Sequence, residues 1–526
     1  MVALRSALVQ KREATLFAGC GIVADSDPQA EYKESCLKLE VMQRSLSKNN
    51  TLMEIHDVSP VVKNPVNATY AYVQAFVDEL QRANVHNVVI CPGSRSTPLA
   101  IAFASVTTIH SWMHVDERSA AFFALGIAKK LQQPVALICT SGTAAANFLP
   151  AIVEARLSHI PLLVITADRP PELRDCGAPQ AIDQNRLYGS FVKWFSELAL
   201  PEATDAMLRY VRTIAQRAVG MAQAVPAGPV HLNMPFREPL VPQPSTEHAF
   251  PAPEARNAQA WQGRANNQPY VAISDPLPGL PSPARILQLL QMMCQARRGL
   301  IIVGPQNQST LIGPLLALAQ RLNFPILADP LSQLRGSKNE WILSSYDAFL
   351  RFPQVVHATE PDFILRIGAM PVSKPVLLYL QHYAACPQIV IDGQMGWEEP
   401  TQLVSELIHT DPTAFCQQLQ SCLESLNVNQ TSSETAWPTL WQRLDQCTQK
   451  TLETAIADFT EPFEGRVFTE LSSLLPEATT LFVGNSMPIR DMDTFFWCRD
   501  RDIHILANRG PMALMAWSPV LWAQVQ

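Results

Sequence analysis

The sequence contains no apolar run of about 18 residues, the length that a membrane-spanning helix needs. It has no marked excess of charge of either sign: the net charge of the 526 residues is −7, and acidic and basic residues are mixed throughout. A membrane span, a nucleic-acid-binding surface and a basic patch for lipid headgroups are therefore not predicted.

Cysteines never occur as Cys-x-x-Cys pairs. The 11 cysteines are scattered along the chain, which is not typical of a disulfide framework or a zinc site and fits free thiols in a reducing compartment. No apolar signal-peptide core lies near the N-terminus. What is present, 47% hydrophobic residues in a chain of 526, is enough for roughly two to four domains with cores of their own.

One stretch, residues 91–118, combines turns and charged side chains in a way that is typical of a binding site. The apolar run Val88–Cys91 predicts a buried strand, and Thr97–Ala104 predicts a helix. Ser94 and Arg95 then lie on the turn between them, where free backbone N–H groups and a guanidinium favour an anion.

The same geometry recurs after the next predicted strand. That strand is Ile109–His114, and Glu117 follows it within the triplet Asp116–Arg118. An acid at the carboxyl end of a parallel strand is a candidate site residue, because ligands bind at that edge of such sheets. The alternative is that Glu117 only stabilises the dipole of the helix that follows it. The spacing by itself leaves both interpretations open.

Strands alternate with helices from residue 67 to about residue 240. This alternation predicts a first domain, 67–240, with a parallel sheet that is covered by helices on both faces. Its predicted strands are Val88–Cys91, Ile109–His114, Val135–Cys139, Leu162–Thr166 and Val230–Asn233, and its helices include 119–130, 144–156 and 206–222.

The alternation returns twice more. A linker rich in Pro, Gln and Asn, 241–283, leads to a second α/β domain, 284–430. A third begins at 437 and extends to 510. The strands predicted in these two domains are 300–303, 326–328, 363–367, 389–391, 481–483 and 503–506. The predicted fold class is α/β, with three consecutive doubly wound parallel-sheet domains, of which the third is incomplete.

Three successive α/β domains with an acid after the second strand resemble the layout of thiamine-diphosphate enzymes. Within that family, residues 67–510 are similar to the members that join 2-oxoglutarate to isochorismate in menaquinone and phylloquinone biosynthesis. The motifs that carry the resemblance are CPGSRSTP (91–98), DER (116–118), TSGTA (140–144), TADRPPEL (166–173), GAPQAI (177–182), MPVSKP (370–375), FVGNSM (482–487) and NRG (508–510). Each motif is short, and their common order and spacing make the resemblance specific.

The resemblance implies thiamine diphosphate and Mg²⁺ (or Mn²⁺) as cofactors. It gives Glu117 the role of the carboxylate that bonds a ring nitrogen of the cofactor and so favours the proton loss that activates it. It places Gly142 against the cofactor. The implied reaction is the decarboxylation of 2-oxoglutarate and the addition of the remaining fragment to isochorismate.

Both implied substrates carry several negative charges, and arginine pairs with carboxylates through two hydrogen bonds. The residues in or beside the motifs that are expected to bind substrate are Ser94, Arg95, Arg169, Gln180, Lys374, Ser486, Arg490 and Arg509. For any single arginine, the alternative is a surface ion pair. Arg118 and Asp168, next to key positions, are expected to be structural.

Residues 1–46, which a polar linker at 47–66 separates from the first domain, resemble the C-terminal end of isochorismate synthase, a chorismate-utilising enzyme. The matching stretches are Ala3–Arg5, Gly19–Val23 and Ser26–Glu34. By this resemblance Arg5 contacts substrate and Glu31 and Glu34 face magnesium. The alternative is a solvated acidic face of a helix. The segment is expected to be an inactive tail that reflects a fusion to such a synthase.

The metal motif of the family is missing. Its Gly-Asp dipeptide occurs nowhere in the 526 residues, and no substitute cluster of oxygen ligands is recognisable. No metal ligand is therefore predicted in the synthase part, and the chain is expected to be inactive through truncation. Residues 511–526 are predicted to be an out-of-frame translation, because their codons, shifted by one base, can encode the Ala-Asn-Gly-Ile-Asp-Gly of the family.

Two other interpretations stay open. The chain could be a non-catalytic remnant, or another thiamine-diphosphate enzyme of 2-oxoacids, which the many arginines disfavour. The resemblance also implies a homodimer or homotetramer with no nucleic-acid or membrane partner, because family members hold the two ends of the cofactor with different subunits. The expected compartment is the bacterial cytoplasm or, for a eukaryotic fusion, the plastid stroma.

Overall fold

The computed structural model describes residues 65–243, 250–251, 253–273, 279–306, 308–337, 339–394, 396–425, 436–461, 463–497 and 501–508, and the backbone of 5–10 and 13–18. These residues form two compact units. The first unit is 65–273 with Asn508, and the second unit is the two N-terminal strands with 279–507. Across the described ranges, no helix is both long and apolar enough to cross a membrane.

Two strands near the N-terminus form a hairpin that belongs to the second unit. They are β1 (Arg5–Gln10) and β2 (Glu13–Ala18), which pair along their whole length. The rest of residues 1–46, including Glu31 and Glu34, lies outside the described residues, so the magnesium-facing role predicted for these two acids stays a prediction.

The first unit is built on a six-stranded parallel sheet. Its elements are α1 (Ala68–Arg82), β3 (Asn87–Ile90), α2 (Thr97–Ala104), β4 (His110–Met113), α3 (Glu117–Leu131), β5 (Val135–Cys139), α4 (Thr143–Ala146), α5 (Leu149–Leu157), β6 (Leu162–Asp168), β7 (Trp194–Glu197), α6 (Asp205–Gln223), β8 (Val230–Pro235) and α7 (Ala258–Gln262). The strand order is β4-β3-β5-β6-β8-β7, and every neighbouring pair is parallel.

The central strands of this sheet are apolar on both faces. All residues of β5 and β6 are buried, as a sheet covered by helices on both sides requires. The single helix predicted at 144–156 is two helices, α4 and α5. The break follows from Pro150, which has no N–H to bond the carbonyl four residues earlier. The edge strand β7 is absent from the prediction, because its residues are only half-buried and form no apolar run.

Part of the predicted linker 241–283 is fixed to the first unit. Within it, the segment 253–273 contains α7, and Arg82 donates hydrogen bonds of 2.7–3.2 Å to three carbonyls in 262–268. The buried Arg212 donates to two carbonyls of α7. A polar segment without helical or strand periodicity is thus held by arginine–carbonyl contacts.

The second unit contains another six-stranded parallel sheet. Its elements are α8 (Pro283–Gln295), β9 (Gly299–Val303), α9 (Ile312–Leu322), β10 (Ile326–Ala328), β11 (Ile342–Leu343), α10 (Tyr346–Phe349), α11 (Pro353–Ala358), β12 (Phe363–Ile367), α12 (Lys374–His382), β13 (Gln388–Asp392), β14 (Glu406–His409) and α13 (Pro412–Ser425). The strand order is β11-β10-β9-β12-β13-β14, again entirely parallel. The predicted strands 326–328 and 363–367 are found with the same bounds.

A smaller sheet completes the second unit. Its elements are α14 (Ala436–Asp458), α15 (Glu464–Leu474), β15 (Thr479–Val483), α16 (Met487–Phe495) and β16 (Ile503–Ala507). The strand order is β16-β15-β1-β2; β15 and β16 are parallel, and β1 joins them antiparallel. Two doubly wound parallel sheets and a small third sheet confirm the predicted fold class.

Helix α14 packs on the middle sheet rather than on the small one. Trp437 and Trp441 share a core with Leu300 and Ile302 of β9, and the Trp437 indole N–H donates to the carbonyl of Gly299 at 2.8 Å. The prediction starts the third domain at this helix, so the chain returns to the middle sheet before it builds the small sheet. The domain boundaries themselves stay predictions.

Candidate active site

The strand order of the first unit places a crevice at the carboxyl ends of β3 and β5. The chain leaves β3 toward β4 on one side and later adds β5 on the other, and ligands bind where the direction of such a sheet reverses. Gly93 and Thr140 bring the two following loops into contact. A Cβ at Gly93 would lie 2.4 Å from Cβ of Thr140, so only glycine permits this approach.

Arg95 lies in the turn after β3, as predicted, but it is buried, with only 7% of its surface exposed. Nη1 donates to the carbonyl of Phe236 at 2.9 Å, and Nη2 lies 3.2 Å from Glu238 Oε1. Nε has no hydrogen-bond partner among the described residues. Burial lowers the pKa of the Arg95 guanidinium, and the nearby charge of Arg169 lowers it further. The carboxylates of Glu238 and Asp168 oppose this shift of the Arg95 pKa, and a bound anion would relieve the repulsion that remains between the two arginines.

Arg169 and Gln180 both contact Ser141, on the loop that follows β5. Arg169 donates to Ser141 Oγ at 3.1 Å and to the carbonyl of Pro179 at 2.8 Å. The Gln180 amide donates to the carbonyl of Ser141 at 3.1 Å. The structure therefore brings together four of the predicted residues, Ser94, Arg95, Arg169 and Gln180, at one edge of the first sheet.

Glu117 is the first residue of α3, directly after β4. Asp116 caps this helix by accepting the N–H of Ser119 at 2.7 Å, and Glu117 is the acidic residue of its first turn. Burial raises the pKa of the Cys91 thiol, and the carboxylate of Glu117 raises it further. The Glu117 carboxylate thus lies near the carboxyl end of β3, on the same edge as Arg95.

Gly142 has a backbone conformation that only glycine adopts easily, with φ +85°. A Cβ at this position would lie 2.9 Å from Cγ of Gln180. The backbone N–H of Gly142 donates to Gln184 Oε1 at 2.8 Å, which fixes the loop. The contact with the cofactor that is predicted for Gly142 stays a prediction.

A buried polar network supports this loop and is absent from the predicted site. Gln184 donates to Asn233 Oδ1 at 2.9 Å, and Asn233 donates to Asp168 Oδ2 at 2.8 Å. Asp168 Oδ1 accepts the backbone N–H of Arg169 at 2.7 Å, in agreement with the structural role expected for it. In the sequence, the network could have been recognised from His231 and Asn233, two polar residues in an otherwise apolar buried strand.

His231 is a neutral member of this network. Burial lowers its pKa to about 3, and its Nε2 lies 2.8 Å from the hydroxyl of Thr166. At neutral pH it contributes no charge to the site. The ionisable groups at this edge are Glu117 and the two arginines, together with Glu238 and Asp168 beside Arg95.

The second unit carries three more of the predicted residues. Lys374 is the first residue of α12; Ser486 (φ +73°) immediately precedes α16; and Arg490 lies exposed on α16. Nη1 of Arg490 lies 3.9 Å from Sδ of Met487. Arg509 lies outside the described residues. The substrate-binding roles of all these residues stay predictions.

The described part of the chain offers no obvious metal centre. It contains no group of three or more His, Cys, Asp or Glu side chains that could hold an ion. We therefore assign no residue to a metal ion.

The glycine at 142 yields a direct test of the loop geometry. We expect Gly142→Ala to reduce the free energy of unfolding by about 1–3 kcal/mol, because an L-residue is strained in this conformation and its Cβ would contact Gln180. Thermal unfolding measures the effect. The matched control is Gly313→Ala on α9, where a Cβ meets nothing within 4 Å. Equal melting temperatures for Gly142→Ala and the wild type would contradict the assignment.

Comparison with known proteins agrees with this geometry. Residues 71–187 match the family model described as thiamine pyrophosphate enzyme, N-terminal TPP binding domain, and residues 256–483 match the one described as middle domain of thiamine pyrophosphate. Residues 1–47 match the chorismate binding enzyme family. The chain is thus built as a thiamine-diphosphate enzyme, with an N-terminal segment of a different family.

The curated relatives specify the enzyme. The chain is 50% identical to the 2-succinyl-5-enolpyruvyl-6-hydroxy-3-cyclohexene-1-carboxylate synthase of Geobacillus thermodenitrificans over 450 residues, which is 84% of this chain and 73% of the relative. It is 47% identical to the synthase of the same name from Chloroflexus aurantiacus over 452 residues, 85% of this chain and 73% of the relative. The chain belongs to the 2-succinyl-5-enolpyruvyl-6-hydroxy-3-cyclohexene-1-carboxylate synthase family. This membership confirms the predicted family, and its cofactors are, by family, thiamine diphosphate and a divalent metal ion.

Proposed function

We propose that this protein acts in the decarboxylating addition of 2-oxoglutarate to isochorismate, which gives 2-succinyl-5-enolpyruvyl-6-hydroxy-3-cyclohexene-1-carboxylate. The observation that carries the proposal is the carboxyl edge of the first sheet, where the buried Arg95 lies beside Arg169 and the carboxylate of Glu117 lies near Cys91 at the end of β3. Substrates with several carboxylates need such cations. A cofactor that must lose a proton needs such a carboxylate.

The residues divide into two roles. When bound, thiamine diphosphate supplies the electron sink for loss of carbon dioxide. Glu117 bonds a ring nitrogen of the cofactor and holds the proton there, and Gly142 leaves room for the ring. Substrate carboxylates are bound by Arg95 and Arg169, with Ser94 and Gln180 as neutral partners. The family resemblance adds Lys374, Ser486, Arg490 and Arg509 as further substrate-binding candidates.

The 526 residues do not include the Gly-Asp dipeptide of the family's metal motif, so turnover is measured on a protein to which this motif has been added. We therefore define a hybrid, in which residues 1–508 of this protein continue with the corresponding C-terminal residues of the Geobacillus thermodenitrificans synthase. The expected result is release of carbon dioxide from 2-oxoglutarate that depends on isochorismate, thiamine diphosphate and Mg²⁺. A folded hybrid that binds the cofactor without this release would contradict the proposed function.

A second candidate function is that of a non-catalytic remnant. We weigh it because the described residues contain no group of three or more His, Cys, Asp or Glu side chains that could hold an ion, and a hard divalent ion needs oxygen ligands. Calorimetric titration of the unaltered chain with thiamine diphosphate and Mg²⁺ separates the two. Micromolar binding would contradict the remnant; the absence of binding, together with an active hybrid, would support it.

Arg95 provides the sharpest test of substrate binding. In the hybrid we expect Arg95→Ala to raise the KM for at least one of the two acids by about 10–100-fold, the effect of losing a hydrogen bond to a charged group. The Arg95→Lys variant keeps the charge but not the planar guanidinium. Its KM should therefore lie between those of the wild type and Arg95→Ala. Arg217→Ala is the control, because Arg217 covers the Trp194 ring elsewhere in the same unit. An unchanged KM for Arg95→Ala would contradict the role.

We also infer that the active form contains at least two chains, either a homodimer or a homotetramer. We place it in the bacterial cytoplasm or, for a eukaryotic fusion, in the plastid stroma. The family relationship supports both statements. Sedimentation velocity of the hybrid tests the first, and a purely monomeric species with full turnover would contradict it.

A further inference from the structure

Asp347, on the short helix α10, links two helices of the second unit. It is buried, with 4% of its surface exposed. Its Oδ1 accepts the hydroxyl of Ser373 at 2.7 Å, and its Oδ2 accepts the hydroxyl of Thr494 at 2.9 Å. Arg351 also donates to Oδ2, at 2.6 Å. One carboxylate thus joins the start of α12 to the last turns of α16.

The contact with Ser373 fixes the start of α12. Ser373 is the N-cap of this helix, and its Oγ accepts the N–H of Val376 at 3.3 Å. The preceding residue, Val372, donates its N–H to Asp329 Oδ2 at 2.7 Å. Lys374 directly follows these two residues. Its backbone is therefore next to Ser373, which bonds Asp347, and to Val372, which bonds Asp329.

The contact with Thr494 fixes α16 on the other side. Thr494 lies one helical turn after Arg490, and its hydroxyl also lies 3.2 Å from the carbonyl of Arg490. The hydroxyl has one proton, which Asp347 Oδ2 and the Arg490 carbonyl share, so Asp347 contacts α16 one turn after Arg490 and contacts the residue before Lys374. Both residues are among those we assign to substrate binding.

We infer that Asp347 is a positioning residue, which sets the spacing between Lys374 and Arg490 and thereby the affinity of the second unit for a dicarboxylate. The inference rests on the proposed function for the identity of the ligand. The geometry requires a carboxylate, because its two oxygens accept from hydroxyls on two different helices. An amide has one acceptor oxygen, so with asparagine at 347 the amide nitrogen faces the Arg351 donor without accepting from it and can only donate to Thr494, which reverses that contact.

The test compares Asp347→Asn with Asp445→Asn in the full 526-residue chain. Asp445 is an equally buried carboxylate near the same helix, but its contacts with Ser344 and Ser345 all go to Oδ1. Its Oδ2 faces the side-chain amide of Gln449, which can rotate to accept. Asparagine at 445 therefore removes a buried charge and keeps the contacts.

Two quantities are measured: amide hydrogen exchange in the segments 374–378 and 490–496, and the Kd for 2-oxoglutarate by calorimetry. We expect Asp347→Asn to speed exchange in at least one of the two segments roughly five- to tenfold, the effect of losing a cap or a buried hydrogen bond, and to weaken the Kd by a similar factor. Asp445→Asn should change neither. If Asp347→Asn does not fold, Ser373→Ala and Thr494→Val should each loosen only their own segment.

The outcomes separate the inference from the proposed function. Unchanged exchange in both segments, or equal changes in both aspartate variants, would overturn the positioning role. Faster exchange without any change in a measurable Kd would overturn the link to the ligand. If the unaltered chain does not bind 2-oxoglutarate at all, the assignment of Lys374 and Arg490 fails along with the proposed ligand, whereas the exchange data still decide whether Asp347 holds the two helices.

Discussion

Replacing Glu117 by glutamine should lower turnover by the hybrid at least about 100-fold, the lower end of what general acid–base groups contribute, while the melting temperature stays unchanged. Glutamine has nearly the same shape but cannot hold the proton on the ring nitrogen of the cofactor. Glu117 is half-buried and does not cap its helix, so the substitution should not destabilise the fold.

The neighbouring acid provides the control for this result. Asp116 caps the same helix through the N–H of Ser119, and asparagine caps helices equally well. Asp116→Asn should therefore keep both turnover and stability. A Glu117→Gln variant with wild-type kcat and KM would show that the acid after β4 serves only the helix, which is the alternative that the sequence left open.

The second large effect concerns stability. We expect Arg335→Met to reduce the free energy of unfolding by about 3–5 kcal/mol, the usual result of removing one partner of a buried ion pair. The side chains of Arg335 and Asp493 are 0% and 1% exposed, and they form an ion pair. Arg335 also donates to the carbonyls of Met492, Asp493 and Phe496 at 3.0–3.2 Å. Its removal therefore leaves the buried Asp493 without its cation, although the Tyr346 hydroxyl still donates to it at 3.0 Å, and takes a donor from three carbonyls at the end of α16.

The pH dependence of this variant follows from Asp493. Burial raises the pKa of its carboxyl group above the ordinary value, and Arg335 opposes the rise. Without Arg335, the folded protein favours the protonated acid more strongly, so stability is lost as the pH rises through the raised pKa. Because the pKa of Asp493 beside Arg335 is raised to about 8, the deficit of Arg335→Met should grow as the pH rises above that value, as measured by urea unfolding on either side of it.

A double variant separates the ion pair from the packing. Arg335→Met with Asp493→Leu removes both charges and should recover much of the lost stability, because a buried pair can often be replaced by apolar residues. A double variant that is no more stable than Arg335→Met would show that the carbonyl contacts to α16, rather than the unpaired acid, dominate the loss.

The sequence predicts the fold well where strands are buried on both faces. β10 and β12 have the predicted bounds, because parallel strands under two helical layers appear as uninterrupted apolar runs. β7 and β11 are absent from the prediction for the opposite reason: one is a half-buried edge strand and the other has two residues. The prediction begins the third domain at helix α14 because a polar break precedes it, and no local pattern shows that its tryptophans pack on the middle sheet.

The position of two candidate site residues could be predicted from the strands that precede them. Arg95 and Glu117 follow strands directly, so their place at the carboxyl edge is set by local sequence. Gln184 and Asp347 could not be found in this way. Their partners are distant in the chain: Asn233 for Gln184, and Ser373 and Thr494 for Asp347. Only the folded structure brings such polar groups together, and no local periodicity marks them.

The most direct test of the account is the rate of carbon dioxide release from 2-oxoglutarate by the hybrid and by its Glu117→Gln variant, each with and without isochorismate. We predict isochorismate-dependent release by the hybrid and background release by the variant, with equal melting temperatures. Equal rates for the two proteins, or a cofactor-bound hybrid whose release ignores isochorismate, would contradict the claim that residues 67–508 carry the site of this reaction.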